Sequence, residues 1–181
     1  MKYLKGLNYV VSLFKIKSVC DKYSIKNYTI NSDGSIDVKG SVSLFHYRLT
    51  KLPIRFNRVT GNFDCSYTGL ISLENSPREV GGSFDCSGNR LRTLEFGPEK
   101  VDAIYNCSHN YIETLKYYPK EIGQDFYCNH NPLPKKLLYY IKSIDIIMRE
   151  SEDFSIWRKD GSLDELRFKY MMTVLKEEGK I

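Results

Sequence analysis

Four of the five cysteines stand at a regular interval, which limits the chemistry open to them. Cys65, Cys86, Cys107 and Cys128 are each 21 residues apart. A column of thiols could bind a metal, form disulfides or supply a nucleophile. The sequence contains no Cys-x-x-Cys pair, however, and cysteines that alternate with apolar residues are typically small core side chains. We therefore predict reduced cysteines in the core, with disulfides or metal binding as the alternatives.

The three histidines share one position of the same interval. His109 and His130 each follow a column cysteine by two residues, and His46 falls there when the interval is extended backwards. Imidazoles could act as bases or metal ligands. No Ser/His/Asp signature, phosphate-binding loop or paired-acid motif accompanies them. We therefore expect no enzyme, no cofactor and no metal, with a closed pocket lined by these histidines as the alternative.

The cysteine interval is one column of an internal repeat. Aromatic, leucine, asparagine and proline columns keep the same phase: Phe63, Phe84, Tyr105 and Phe126; Leu70, Leu91, Ile112 and Leu133; Leu73, Leu94 and Leu115; Asn89, Asn110 and Asn131; Pro77, Pro98 and Pro119. A fixed period of this kind predicts a solenoid, because a single coil cannot bury its inner face alone. Four full coils are expected from Gly40 to Gly123, with a partial fifth ending at Leu133.

Each coil is predicted to contain one strand. Phe84 and Cys86 are two residues apart, so both should point inward. Asn89 and its equivalents can bond backbone groups where the chain leaves the strand, which predicts a ladder of amides from coil to coil. Proline and glycine are expected to punctuate an irregular return path on the convex side.

Residues that alternate with the inward ones should lie on the exposed concave face of the sheet. They form three columns: Ser43, Asp64, Asp85, Asn106 and Tyr127; Phe45, Ser66, Ser87, Ser108 and Asn129; His46, Tyr67, Gly88, His109 and His130. Solenoids usually bind through such a surface, and aromatic residues dominate binding hot spots. We predict a partner-binding face made of Phe45, His46, Asp64, Tyr67, Asp85, Asn106, His109, Tyr127 and His130. The alternative is an ordinary solvated sheet surface.

Two segments resemble a known family. The lead-in to the repeats reads Tyr28-Thr29-Ile30-Asn31-Ser32-Asp33-Gly34-Ser35-Ile36-Asp37-Val38, and one repeat reads Gly82-Ser83-Phe84-Asp85-Cys86-Ser87-Gly88-Asn89-Arg90-Leu91. Together they resemble the leucine-rich-repeat proteins of large tailed bacteriophages, over about residues 20–133. The resemblance implies a leucine-rich-repeat fold and a phage origin, and it implies no established activity. Tyr47 and Thr68 stand where that pattern has Asn, so the first two coils are expected to turn differently.

The segments on either side, residues 1–39 and 134–181, are predicted to cap the repeats of residues 40–133. An apolar stripe predicts a helix over residues 1–20, with Tyr3, Leu4, Leu7, Val10, Val11 and Phe14 on one face. Tyr28–Ile30 and Ser35–Val38 then read as a β-hairpin. The predicted fold class is thus an α/β solenoid, a short leucine-rich repeat with an N-terminal helix and hairpin cap and a C-terminal helical cap.

The C-terminal cap is predicted to contain two helices. Pro134 can open one through Lys135–Met148. Lys159–Gly161 is expected to turn, and Ser162 with Glu165 forms a capping-box pattern for a second helix to about Glu178. The apolar face of that helix is expected to contain Leu163, Leu166, Tyr170, Met171, Val174 and Leu175.

The distribution of charged residues along the sequence distinguishes between the candidate classes of partner. The net charge is +5, and residues 1–30, with six Lys and one Asp, account for a net of +5. Residues 31–132 hold 11 basic and 12 acidic side chains, so the repeats lack the basic stripe of a nucleic-acid binder. The lysine-rich N-terminus could still contact nucleic acid or a membrane surface, although we favour a cap there. No apolar run reaches the ~20 residues of a membrane span, so a cytoplasmic protein is expected.

The sequence therefore predicts a non-enzymatic protein-interaction module in the cytoplasm of an infected host cell. Its expected partner is a host protein, and inhibition of a host or defence factor is the most specific form of that hypothesis. The alternative function is a nucleic-acid-binding accessory protein that uses the lysine-rich N-terminal segment.

Overall fold

The computed structural model describes residues 13–181, so the predicted stripe from Tyr3 to Val11 lies outside the described residues. Helix α1 covers residues 13–22. Phe14 is 70% exposed, which contradicts its predicted place on the apolar face. Ile16 and Cys20, one helical turn apart, form the buried face instead.

Short strands follow α1. Within the described residues they are β1 (Tyr28–Ile30), β2 (Ile36–Val38), β3 (Val42–Ser43), β4 (Phe56–Val59), β5 (Phe63–Asp64), β6 (Glu79–Val80), β7 (Phe84–Asp85), β8 (Lys100–Val101), β9 (Tyr105–Asn106), β10 (Glu121–Ile122) and β11 (Phe126–Tyr127). They build a β-solenoid of about four turns.

Two sheets run along the solenoid. Sheet A has the order β1-β2-β4-β6-β8-β10, and sheet B has the order β11-β9-β7-β5-β3. Strands from successive coils pair in parallel at the 21-residue offset, as in Phe63 with Phe84 and Val80 with Val101. The expectation of one strand per coil and an irregular return path was therefore wrong. The return path forms sheet A, in which β4 turns Phe56 and Val59 inward and each later strand turns one apolar residue inward.

Aromatic rings fill the space between the sheets. Phe63 stacks on Phe84 with ring centroids 5.7 Å apart, Phe84 meets Tyr105 at 5.0 Å, and Tyr105 meets Phe126 at 5.6 Å. Such pairs stabilise a fold by roughly 0.5–1.5 kcal/mol each beyond simple burial. The predicted inward column is confirmed, since all four rings are buried.

A buried amide joins each coil to the one before it. The Asn89 Oδ1 accepts hydrogen bonds from the backbone N–H groups of Gly69 (2.8 Å) and Leu70 (2.9 Å). Its Nδ2 donates to the carbonyls of Cys65 (2.9 Å) and Cys86 (3.0 Å). One side chain therefore satisfies backbone groups of two coils, groups that would be costly to bury unpaired.

The same contacts recur in the next two coils. The Asn110 Nδ2 donates to the carbonyls of Cys86 and Cys107, and Asn131 does the same for Cys107 and Cys128. Their Oδ1 atoms accept from the leucine-column N–H groups of the preceding coil, Leu91 at 3.0 Å and Ile112 at 2.9 Å. The predicted ladder is confirmed.

The expectation that the first two coils turn differently was wrong for the backbone, which keeps the left-handed turn of the other coils, and only the side-chain contacts differ. The Thr68 hydroxyl donates to the carbonyl of Cys65 at 2.9 Å, a contact that the missing amide would otherwise make. Tyr47 is exposed, and its ring meets that of Tyr23, just after α1, edge-on at 4.9 Å. The first turn is thus tied to the N-terminal segment.

Ion pairs follow the outside of sheet A. Arg58 pairs with Glu79 at 3.7 Å, and Lys100 pairs with Glu121 at 2.7 Å. These side chains are exposed, so each pair stabilises the fold by only about 0–1 kcal/mol. Because basic and acidic side chains face each other on neighbouring strands, the repeats contain many charged residues and yet have a net charge close to zero.

The predicted hairpin is confirmed at the edge of sheet A. Strands β1 and β2 pair antiparallel, with Thr29 opposite Asp37. Asp33 closes the turn, since its Oδ1 accepts from the Ser35 N–H at 3.0 Å and from the Ser35 hydroxyl. The β2 strand then pairs with β4 and continues into the coils.

The predicted helix over Lys135–Met148 is broken. Helix α2 covers Lys135–Tyr139, a 3-10 turn covers Ile141–Ser143, and α3 covers Ile144–Glu150. The break falls at Tyr140, within an aromatic and β-branched stretch of low helix propensity. The Tyr140 ring packs on Phe168 of the last helix at 6.3 Å.

The last helix, α4, covers Glu165–Glu177. Its N-cap is Asp164, whose Oδ1 accepts from two backbone N–H groups, so the predicted Ser162 capping box was wrong. Ser162 instead bonds to Asp160 in the predicted turn, outside the helix. Leu166 and Tyr170 were also wrong as core residues, because the buried face contains Phe168, Met171, Met172 and Leu175.

Buried side chains from Ile16 to Leu175 form one continuous core. That core includes α1, both sheets and the C-terminal helices. In the part of the chain that the structure describes, no helix is long and apolar enough to cross a membrane.

Replacing the ladder amide should destabilise the solenoid. Asn89→Ala leaves backbone groups of two coils unpaired, so we expect the free energy of unfolding to fall by about 3 kcal/mol. Urea denaturation followed by circular dichroism measures it. The control is Asn129→Ala at an exposed site, where the change should stay within about 0.5 kcal/mol. Equal effects of the two substitutions would show that the ladder does not stabilise the coils.

Candidate functional site

Three residues after the end of each strand of sheet B, one residue adopts a left-handed backbone. These residues are His46, Tyr67, Gly88, His109 and His130, with φ of 60°, 53°, 64°, 56° and 56°. We call them the left-handed column. Each immediately precedes the asparagine position of its coil, and φ is left-handed also in the first two coils, where Tyr47 and Thr68 occupy that position. The four side chains are exposed.

Glycine would fit this column with least strain. A left-handed backbone costs an L-residue roughly 1–2 kcal/mol, and bulky residues are rarer there than Asn, Asp or His. Only one of the five coils has glycine at this position, Gly88. The other four coils keep large side chains at a conformational cost, and such strain concentrates at functional sites.

In the first two coils, the side chains of the column and Phe45 form an aromatic cluster. The Phe45 ring lies 4.0 Å from the His46 ring and 6.2 Å from the Tyr67 ring. Tyr67 is 52% exposed, and its ring covers Gly88, where an added Cβ would come within 2.5 Å of it. Gly88 therefore provides the room in which the Tyr67 ring lies.

In the last two coils, the column consists of two stacked imidazole rings. The rings of His109 and His130 are nearly parallel, with centroids 4.2 Å apart, and both side chains are exposed. Tyr127 is exposed nearby on β11, and its hydroxyl donates to Asp125 at 3.2 Å. The Asp125 carboxylate raises the pKa of Tyr127, so its phenol stays protonated at neutral pH.

The polar side chains of the predicted face form hydrogen bonds that stabilise the turns after the strands. The Asp64 Oδ1 accepts from the Ser66 N–H at 2.9 Å and from its hydroxyl at 2.6 Å. Asp85 accepts from the Ser87 N–H at 2.8 Å and from the Asn106 Nδ2 at 3.0 Å. These half-buried groups are already engaged, unlike the exposed rings beside them.

One predicted outward column is mostly inside. Ser66, Ser87 and Ser108 are buried, although strict alternation placed them on the surface. The strands of sheet B contain only two residues, so the alternation ends before these serines. They fold into the turn beneath the left-handed column.

Two exposed tyrosines extend the surface and were missed. Tyr111 follows Asn110 and is exposed, and Tyr47 precedes Arg48 in the first coil. Neither belongs to an aromatic column, because the equivalent positions in the other coils hold unrelated residues. A search for repeated columns could not find them.

The predicted core position of the cysteine column is confirmed, since all four side chains are buried. Burial raises the pKa of Cys65, Cys86 and Cys107 well above its usual range, and that of Cys128 to about 11. Protonated thiols are poor nucleophiles and poor metal ligands. Among residues 13–181, no group of three or more His, Cys, Asp or Glu side chains has the arrangement of a metal site.

A cleft of about 830 Å³ lies between the last coil and α3. Tyr118 on one side donates a hydrogen bond to Asp145 on the other. Burial and this hydrogen bond raise the pKa of Tyr118, which keeps the phenol protonated as a donor. The contact holds α3 against the coils.

No protein-family model, curated protein or solved structure matches this chain. What the chain does has to be inferred from its own residues. In the left-handed column with Phe45 and Tyr127, exposed aromatic groups and a left-handed backbone recur along the coils, whereas the other left-handed pair at the repeat interval, Asn75 and Phe96, spans two coils.

The thiols should be inert until the protein unfolds. Because burial raises their pKa, we expect none of the five cysteines to react with Ellman's reagent in the native protein at about pH 8. All five should react after denaturation in urea. Rapid labelling of one or more native thiols would contradict the core assignment and revive a redox or metal role.

Proposed function

We propose that this chain is a non-enzymatic protein-binding module whose working surface is the left-handed column with Phe45 and Tyr127. One observation carries the proposal. Four coils keep an exposed histidine or tyrosine at a position where glycine would be easier to accommodate. A side chain retained against backbone preference, and not buried, is best explained by what it contacts outside the chain.

The chemistry of this surface suits a protein partner. Tyrosine and phenylalanine contribute large contact areas, and histidine adds both a ring and a hydrogen-bonding group. The surface contains no lysine or arginine within the column itself, and the coils are nearly neutral. Nucleic-acid affinity depends mainly on basic contacts to phosphate, and the column itself offers no basic side chain for them. The half-buried Asp64, Asp85 and Asn106 would add polar specificity at its edge.

We further propose that the solenoid is a leucine-rich repeat of the phage type, with residues 1–39 and 134–181 as its caps. The asparagine ladder and the leucine columns support this, together with the sequence resemblance. On that basis the partner would be a host protein met in the cytoplasm of an infected cell, and the complex would inhibit a host or defence factor.

Removal of the column rings should abolish binding without unfolding the protein. Tagged wild-type chain and the Tyr67→Ala/His109→Ala variant are used to capture partners from bacterial host lysate. We expect a protein recovered in stoichiometric amount by the wild type and lost from the variant, because truncated hot-spot residues typically cost 2 kcal/mol or more, roughly a 30-fold weaker complex.

The matched control is Arg58→Ala/Arg78→Ala on the outside of sheet A, which should capture the partner as well as the wild type does. Equal thermal stability of all the proteins is the condition for comparison. Capture that survives the column variant but is lost from the sheet A variant would overturn the proposed surface. Capture of nucleic acid that is released as salt rises would favour the alternative function.

A further inference from the structure

A second surface lies at the far end of the chain, between α2 and α4. The two helices leave a groove of about 560 Å³ between them. Its floor is apolar, since Phe168 and Met172 are among the lining residues and expose only their edges. Met is a flexible, polarisable side chain that adapts to different ligands. Tyr139 on the rim is 82% exposed.

Positive charge is concentrated on the rim of this groove. Four lysines and a single glutamate line it: Lys135, Lys136, Lys169, Lys176 and Glu165. Residues 133–181 as a whole hold 10 basic and nine acidic side chains, a net of +1, so the groove's +3 exceeds that of the whole C-terminal segment. The charge is therefore a local feature and not a property of the segment.

Two of the four lysines are committed to neighbours. Lys136 pairs with Glu165 across the groove at 2.7 Å. The Lys176 Nζ lies 5.6 Å from the centre of the Tyr140 ring and 3.5 Å from its hydroxyl. Within residues 13–181, Lys135 and Lys169 make no ion pair, so they are the rim charges open to a ligand.

The combination of an apolar floor and a basic rim selects the ligand. A purely anionic ligand would leave the Phe168 and Met172 edges unused, and a purely apolar one would leave two cations without partners. An acidic peptide segment with an aromatic or aliphatic side chain satisfies both, since that side chain can enter the groove while carboxylates meet the lysines.

We propose that the α2–α4 groove binds an acidic peptide segment of a partner protein, anchored by one large apolar side chain. The site is separate from the left-handed column and does not depend on it. The chain then has two recognition surfaces, an uncharged aromatic one on sheet B and a basic one on the C-terminal helices. A partner that engaged both would gain affinity from their linkage.

Fluorescence anisotropy with the full-length chain tests the groove. The probe is a short fluorescein-labelled peptide of glutamates around a central Leu-Trp pair. One comparison peptide replaces each Glu by Gln, and another replaces Leu-Trp by Ala-Ala. We expect saturable binding of the first peptide, weakened about tenfold or more by either change and by raising salt from ~50 to ~300 mM.

Charge reversal locates the binding. Lys135→Glu/Lys169→Glu should weaken binding about tenfold or more, whereas Lys39→Glu/Lys51→Glu, an equal charge change on exposed coil lysines, should have little effect. If the reversed variant loses thermal stability, Lys135→Gln/Lys169→Gln supplies the same comparison. Tyr67→Ala/His109→Ala should bind the peptide normally, which separates this site from the proposed function.

Three results would overturn the proposal. The Gln peptide could bind as tightly as the Glu peptide, or both lysine pairs could affect binding equally. Alternatively, a single-stranded oligonucleotide or a vesicle rich in anionic lipid could bind in a Lys135- and Lys169-dependent way while the peptide does not. The last result would assign the groove to nucleic acid or membrane.

Discussion

The buried amide of the asparagine ladder is the contact on which the rest of the structure depends. The strands of sheet B contain two residues each, and backbone hydrogen bonds such as that from the Phe63 N–H to the Ser83 carbonyl join them from coil to coil. The turn that follows would bury carbonyl and N–H groups without partners. Asn89, Asn110 and Asn131 pair with those groups on both sides of the coil boundary. A stack of such short strands is stable because the amides add side-chain contacts to the backbone hydrogen bonds between coils, such as that from the Cys65 N–H to the Asp85 carbonyl.

The surface that we propose as functional lies next to the ladder. In every coil the residue before the asparagine position has a left-handed backbone, and its side chain, where it has one, is directed outward. Each coil therefore presents one outward position at low structural cost to the core, because the fold needs only the φ angle there. Natural proteins often keep unfavourable residues where function requires them. His46, Tyr67, His109 and His130 fit that description, whereas Gly88 gives the position that stability alone would select.

Much of the interior could be predicted from the sequence. The period places aromatic rings, cysteines and leucines inside because each column keeps one chemical type, and the asparagine column stands out for the same reason. The hairpin at the edge of sheet A could be predicted, but strands β6, β8 and β10 could not, since each turns one residue such as Val80 inward and leaves no alternation to detect. The buried serines were missed because alternation was extended beyond the two-residue strands.

The site was only partly predictable. The exposed rings were found as a column, but the left-handed backbone was not, although a glycine at position 88 in that column is a signal for it. Outside the repeat, local patterns gave the helices but not their faces. Leu166 and Phe168 both fit an apolar stripe, and only packing against α2 decides which is buried. The α2–α4 groove depends on that choice, so no single segment of sequence contains it.

The most direct test of this account is the stability of a chain whose left-handed column is entirely glycine. The quadruple variant His46→Gly/Tyr67→Gly/His109→Gly/His130→Gly removes every large side chain from the column. Relief of the left-handed strain stabilises the fold and the greater freedom of glycine in the unfolded chain opposes it. Urea unfolding should therefore remain cooperative, with a free energy of unfolding equal to or above that of the wild type. A loss of several kcal/mol, or a broad transition, would show that the column supports the fold and contradict its assignment as a recognition surface.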